Sequence, residues 1–488
     1  MHGNWNRAVL TGCVLLLATG LAGAAGPEDL PVVASRDLGH EAALAPVGGH
    51  LRLENVVVAE TGELTAFVME RFEVFAPDAT ITVHGAGGER VLPAPRNAYF
   101  RGTVDGQPRS RVFLAVLEDG STQGIVNGED GETYLIGGDT PETKALALAP
   151  LAMRQVGIRA LDALPAGGGF TCGNDRLPQD QKPLGDLDLG AAPPEAAVAE
   201  PAALPLYRAR VAIETDFEFY SKFNSVTNAT NYVGNLLGYA STIYSNEINT
   251  TLQVQSTSLW TTSGDPWGQT STLCGLMEFG RYWNLNKTGV SRTIAHFLSG
   301  KSLGGGVAWV GVLCSGAFGG SATCPGLATD APWGGGYGFT ANITGAFNIN
   351  NPTVVWDIMA VSHEIGHNFN SPHSHCYNNL GGNPSPIDQC YAGECANGCN
   401  CNSAALPGAA GTGSGTIMSY CHLLSPGMSN VSLNFGTSHP SGVVPGREAA
   451  RMSAFVVSRA LSSPSCLAVQ ANGIFSDGLE SGNIISWQ

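Results

Sequence analysis

The sequence has 488 residues, 43% of them hydrophobic and only 13% charged, enough for two or three domains with real cores. Its 24 basic and 40 acidic residues leave a formal charge of −16 with no basic run, which argues against nucleic acid as a partner. Sparse charge together with 64 glycines suits a secreted, loop-rich chain better than a cytosolic helical one.

Residues 1–25 read as a secretory signal peptide. Arg7 is the positive end, Ala8 to Leu21 the apolar core, and Ala22-Gly23-Ala24 the cleavage site. The alternative, a membrane anchor, meets an apolar run that is short and broken by Gly12 and Gly20. Leu10-Thr11-Gly12-Cys13 resembles a lipoprotein box, but too little apolar sequence precedes it. No other stretch could span a membrane, so none is expected once the signal is removed.

Residues 26–183 read as one β-rich region, strand-like from about 26 to 165. Leu51–Val58, Ala66–Phe75 and Ser110–Val116 are apolar or alternating runs, separated by turn signals such as Glu118-Asp119-Gly120 and Asn127-Gly128. No catalytic constellation lies among them. Near the end of this region Cys172 stands in a glycine-rich loop, Gly167 to Asp175. A lone thiolate so placed could fill the open position of a metal site; the alternative is an unpaired or intermolecular cysteine. Residues 184–205, with Ala191-Ala192-Pro193-Pro194-Glu195, have no periodicity and read as an exposed, cleavable linker.

A second region runs from 206 to 468. Tyr207–Glu214 alternates as a strand, Ser225–Ile248 is an amphipathic helix, and Thr251–Leu259 is a second strand. Met277–Trp283 suggests a helix and Arg292–Phe297 a strand. Val307–Leu313 is a continuous apolar run, hence a buried strand, and Gly336–Ile343 follows it. Next, Asn351 as N-cap and Pro352 in the first turn open a largely apolar helix.

That helix carries His363-Glu364-Ile365-Gly366-His367, with His373 beyond it. Residues four apart share one helix face, so His363 and His367 can point at one metal ion. Glu364 lies beside that face, in reach of a bound water. His373 would be the third ligand once the helix turns back. Three protein ligands with one open position describe a catalytic zinc site. His375 competes for the third position but reads as an exposed loop residue. Glu394 is a further alternative, as a downstream acidic ligand of the thermolysin kind, although no clear helix carries it.

The stretch resembles the zinc-binding motif of the metzincin metallopeptidases, His-Glu-x-x-His-x-x-Gly-x-x-His, and its wording is closest to the reprolysin-like, adamalysin-type branch. One position departs: the family glycine is Asn370 here. In the family that glycine ends the helix in a left-handed conformation, which Asn tolerates best after Gly. Ser374 stands where many reprolysins carry Asp.

The resemblance implies an α+β fold: a metzincin-like catalytic domain with a mixed twisted sheet, a long active-site helix and a Met-turn, preceded by a β-rich prodomain. It implies Met418 as the Met-turn residue, against an ordinary core methionine. It implies Cys172 as a cysteine switch. Tyr420 would be a catalytic helper, as in astacins and serralysins, against a purely structural tyrosine. Glu364 would be the general base. By resemblance the substrate would pair beside residues 336–343 as an added strand.

The expected protein is therefore a secreted zinc-dependent endopeptidase, made latent, with one catalytic zinc ion and protein or peptide substrates. Calcium is possible but nothing indicates it, and oligomeric state is not readable. The alternative is a non-catalytic secreted binding protein that retains the fold. Ten cysteines after residue 270 predict up to five disulfides of unreadable pairing; for Cys390–Cys401 a stapled loop competes with a structural zinc site. Arg447–Ala460 reads as a terminal helix, and 469–488 as a separate short tail of no evident chemistry.

Overall fold

A computed structural model describes residues 30–129, 131–137, 151–157, 160, 162, 172–177, 206–319, 324–348, 350–395, 399–436 and 446–470. The expected signal peptide and linker lie outside the described residues, as does the tail from residue 471 on.

Several of the N-terminal strands bury side chains on both faces. After β1 (Val32–Ala34) and a short helix α1 (Leu38–Leu44) come β2 (His50–Val58), β3 (Leu64–Phe72), β4 (Phe75–Gly85) and β5 (Gly88–Pro93). Then follow β6 (Ala98–Val104), β7 (Gln107–Val116), β8 (Thr122–Asn127), β9 (Thr133–Gly137) and β10 (Ala152–Gln155). The first sheet has the order β1-β2-β10-β9-β8-β7-β6-β3, and β2 also pairs with β3, so it closes on itself. Phe67, Phe100, Val112, Leu114, Val126 and Ile136 fill its interior. The intervening residues Tyr99, Phe113, Ala115, Ile125 and Leu135 belong to a second core outside it. This is the period-two placement of a strand buried on both faces.

The run Ala66–Phe75 is not one strand. β3 ends at Phe72, and β4 leaves the closed sheet for the second one, whose order is β14-β15-β13-β11-β12-β4-β5. The rest of that sheet comes from the C-terminal region: β11 (Tyr207–Thr215), β12 (Thr250–Trp260), β13 (Ile294–Leu298), β14 (Gly306–Ala308) and β15 (Tyr337–Thr340). β11, β12, β13 and β15 run parallel, while β14 is antiparallel to β15 at the rim. The rim strand is thus 306–308, and residues 337–340 lie inside the sheet, which corrects the expectation that 336–343 forms the edge. The apolar run 307–313 is buried as expected, but only its first two residues are strand, because Gly311 (φ +68°) turns the chain.

Helices α2 (Phe217–Ser221), α3 (Val226–Ile248), α4 (Thr272–Asn286), α5 (Thr353–Asn368) and α6 (Arg447–Ser462) complete the described helices. Ser225 caps α3 by accepting from Asn228 N (3.2 Å). α5 begins one residue later than expected: Pro352 is its N-cap and no side chain caps it. A last strand, β16 (Ala468–Val469), pairs with the start of β11. Five disulfides form: Cys274–Cys324, Cys314–Cys466, Cys376–Cys399, Cys390–Cys421 and Cys395–Cys401. Cys172 is free and buried. The cluster 390–401 is therefore a stapled loop. No described helix is long and apolar enough to cross a membrane.

Glu214, fully buried near the end of β11, accepts indole N–H groups from Trp260 (2.9 Å) and Trp283 (3.0 Å). Burial outweighs these donors and pushes its carboxyl up from 4.5 to about 7. The fold thus favours the protonated form. That contribution is complete below pH 4.5 and lost as pH rises through about 7. Glu214→Gln should flatten this fall, narrowing the stability difference between about pH 5 and about pH 8 by about 1–3 kcal/mol. Urea melts at the two pH values check it, and equal differences in both proteins would clear Glu214 of the effect.

Candidate active site

α5 is apolar almost all round, so it is buried almost all round. Val354, Val355, Ile358, Met359, Val361 and Ile365 pack into the core that also holds α3 residues such as Leu237 and Ile243. His363, Glu364 and His367 are fully buried on the same helix. Its C-terminal carbonyls are satisfied by the segment after β14: Gly311 N donates to His367 O (2.9 Å) and Val312 N to Asn368 O (3.0 Å). Asn368 Nδ2 returns the contact, donating to Trp309 O and Tyr337 O (both 2.9 Å).

The helix stops as the sequence predicts. Asn370 has φ +76°, the left-handed conformation expected of the family glycine. Its position is held from a distance: Arg451 on α6 donates to Asn370 O (2.7 Å) and Oδ1 (3.2 Å). The turn brings His373 back to the helix.

Each of the three imidazoles gives its Nδ1 proton to a fixed acceptor. His363 donates to Ile417 O and His367 to Ser371 O, both at 2.7 Å. His373 Nδ1 pairs with the Glu394 carboxylate at 2.7 Å. With Nδ1 protonated, Nε2 carries a bare lone pair. The Nε2 atoms of His363 and His367 then face each other at 3.2 Å, and His373 Nε2 is buried with no hydrogen-bond partner among the described residues. Lone pairs so close repel unless a cation lies between them. Burial, followed by the neighbouring imidazoles, pushes His363 and His367 well below the usual histidine range, so both are neutral, the form that binds metal.

Among the described residues, Cys172, His363, His367 and His373 offer donor atoms that all lie within 4.8 Å of one another. Donors around one tetrahedral zinc lie about 3.5 Å apart, so the set fits that ion. Cys172 Sγ is 3.4 Å from His367 Nε2 and donates to Glu364 Oε2, also at 3.4 Å. Among the described residues Glu364 Oε1 has no partner, and burial raises its carboxyl well above the usual range. Gly306 on β14 passes so close that a Cβ there would lie 2.3 Å from Glu364 Oε1.

Met418 lies under the helix. A Cβ at Gly366 would meet its Sδ at 2.5 Å, so only glycine leaves room for this sulfur. Tyr420 is buried among the imidazoles, its ring 4.6 Å from that of His373, and its hydroxyl donates to Cys172 O (3.0 Å).

Two residues differ from their expected positions. His375 is fully buried, not exposed, because its ring stacks on His373. Glu394 is no third ligand: it lies behind His373, with Oε2 3.6 Å from His375 Nε2. Burial opposes ionisation, but pairing with His373 and the contact from His375 outweigh it and hold this carboxyl below its usual range. Sequence reasoning missed the role because Glu394 is on no helix. The signal available was its place between Cys390 and Cys395, in a loop closed by Cys376–Cys399, Cys390–Cys421 and Cys395–Cys401. Two further groups, around Glu394 and around Asp388, include sulfurs already spent in disulfides.

Residues 206–432 match the Reprolysin_5 model of metallo-peptidase family M12. No curated protein matches the chain. Among solved structures it is similar to the crystal structure of metalloproteinase-II from Bacteroides fragilis, at 11% identity and a TM-score of 0.37, covering 73% of this chain and 93% of that one.

Carboxylates behind a ligating imidazole raise its basicity and fix its ring. Glu394→Gln keeps an acceptor and removes the charge; Glu394→Ala removes both. Zinc affinity, read by competition with a coloured chelator, should fall in that order and reach about a 10–100-fold loss in the alanine variant. Equal affinity in all three proteins would show that Glu394 does not support the site.

Proposed function

Because residues 206–432 are a reprolysin-type, metzincin-like domain of metallo-peptidase family M12, we propose that the chain is a secreted zinc endopeptidase made in latent form. The observation that carries this reading is the convergence of three imidazoles, each with its outer nitrogen tied down, beside a Glu364 Oε1 that has no hydrogen-bond partner among the described residues. His363, His367 and His373 would hold the ion. A zinc ion there supplies Lewis acidity, polarising a carbonyl and acidifying water.

The chain's own groups do the proton work. Glu364, buried and raised in pKa, accepts the proton of the attacking water and hands it to the leaving amine. Gly306, on the rim strand, leaves that carboxylate its space. An extended substrate would add to the free side of β14, by main-chain pairing, and present its carbonyl to Glu364. Met418 gives the site an apolar floor, and its fit against Gly366 keeps the helix from shifting. Tyr420 now donates to the Cys172 carbonyl. With that segment gone, the same hydroxyl is a donor for the oxyanion.

Latency rests on Cys172, whose sulfur lies in the donor cluster and touches both the base and a ligand. Export is supported by five disulfides, which need an oxidising compartment, together with the expected signal peptide. The partners are then protein or peptide substrates.

Glu364→Ala should retain stoichiometric zinc while casein hydrolysis falls on the order of 10²–10⁴-fold; unchanged turnover would refute the assignment. Cys172→Ala should give measurable hydrolysis of a short peptide by the uncut chain. If that variant stays as silent as the parent, the sulfur is not what keeps the enzyme latent.

A further inference from the structure

The boundary between the N-terminal strands and the metallopeptidase domain is not a boundary in the sheet. β4 adds to β12 in parallel, with Ser256 opposite Thr80 and Trp260 opposite His84. Val254 N donates to Val74 O (2.7 Å) and Thr261 N to His84 O (2.9 Å). The His84 ring stacks on Trp260 at 4.1 Å. β5 covers β4 from outside. An N-terminal hairpin therefore supplies the outer strands on one side of the catalytic sheet.

α3 is clasped as well. Gly234 and Gly238, one turn apart, open a groove on it. A Cβ at Gly234 would lie 2.4 Å from Tyr99 OH and 2.7 Å from Phe75; one at Gly238 would lie 2.6 Å from Phe113. Polar contacts flank the groove: Asn97 Nδ2 donates to Asn231 Oδ1 (2.9 Å), Asn235 Nδ2 to Gln123 Oε1 (2.7 Å), and Tyr239 OH to Asn127 Oδ1. At its end Arg111 pairs with Glu247 at 2.6 Å, with side chains only 8% and 3% exposed, and donates to Leu433 O (2.7 Å). Phe75, Tyr99, Phe113, Leu236, Leu237 and Ala240 share one core. Separation would open a sheet edge and expose that core, the two kinds of surface that folded chains cover.

We propose that scission within 184–205 does not release the N-terminal part. It stays bound as a separate chain, on the β12 edge and the α3 groove. Cys172 lies on the N-terminal side of any such cut, so it stays in the site. Latency then ends only when the bound fragment is itself degraded. This rests on the peptidase reading for its consequence, but not for the association.

The test uses the full chain with a recognition sequence for a specific protease inserted in 184–205. After cutting, native size exclusion should return both fragments together at the volume of the uncut chain, with peptide hydrolysis no higher than before cutting. Two separate peaks would overturn the proposal. Gly238→Leu, which fills the groove, and Arg111→Ala, which removes the buried pair, should each weaken the cut complex at least tenfold. Should Gly238→Leu fail to fold, Arg111→Ala carries that arm alone. Unaltered association in the folded variants would overturn the interface assigned here. A cut Cys172→Ala complex that holds together yet hydrolyses nothing would uphold the association and remove the Cys172 sulfur as the cause of latency.

Discussion

The site depends on one constraint: imidazoles buried away from water must each hand their outer proton to something that cannot move. Three acceptors meet it, and each belongs to a different piece of chain. Ser371 O is local to the turn. Ile417 O belongs to the segment whose next residue lies beneath Gly366. Glu394 stands on the disulfide-closed loop. Remove any acceptor and an imidazole is left with an unpaired buried donor, which costs about 1–3 kcal/mol and loosens its ring. Much of the architecture from residue 363 to 436 is explained by the need to bring these three oxygens to fixed places.

The histidine stretch was legible because its geometry is local. Spacing on a helix is enough to place His363 and His367 together, and Asn370 could be read as a left-handed stop because few residues accept that backbone. The odd cysteine was legible by counting. Non-local facts were hidden. Glu394 meets His373 only through loop closure, and no periodicity reports that. His375 reads as an exposed loop residue until the rings that cover it, those of His373, Tyr391 and Tyr420, are placed around it. The rim strand was misplaced because β14 is only three residues long and its apolar neighbours continue the same pattern. In the N-terminal part, the strand signal was correct in kind, but a continuous run from 66 to 75 concealed the point where the chain changes sheets.

α3 shows why a helix can look more apolar than a surface helix needs. It has β12 on one side and the closed sheet on the other, so residues on both faces are covered. The glycines at 234 and 238 weaken it by helix propensity, by about 1 kcal/mol each. The aromatic rings seated against them offset that. Helix, groove and rings form a unit that neither half of the chain would have alone.

The Arg451 contact to Asn370 ties the local helix stop to a distant helix. The turn that returns His373 is clamped by a residue of α6, and the strand opposite Tyr207 is made at residues 468–469. The geometry of the His373 turn thus depends on a residue 81 positions further along the chain, which local spacing alone does not supply.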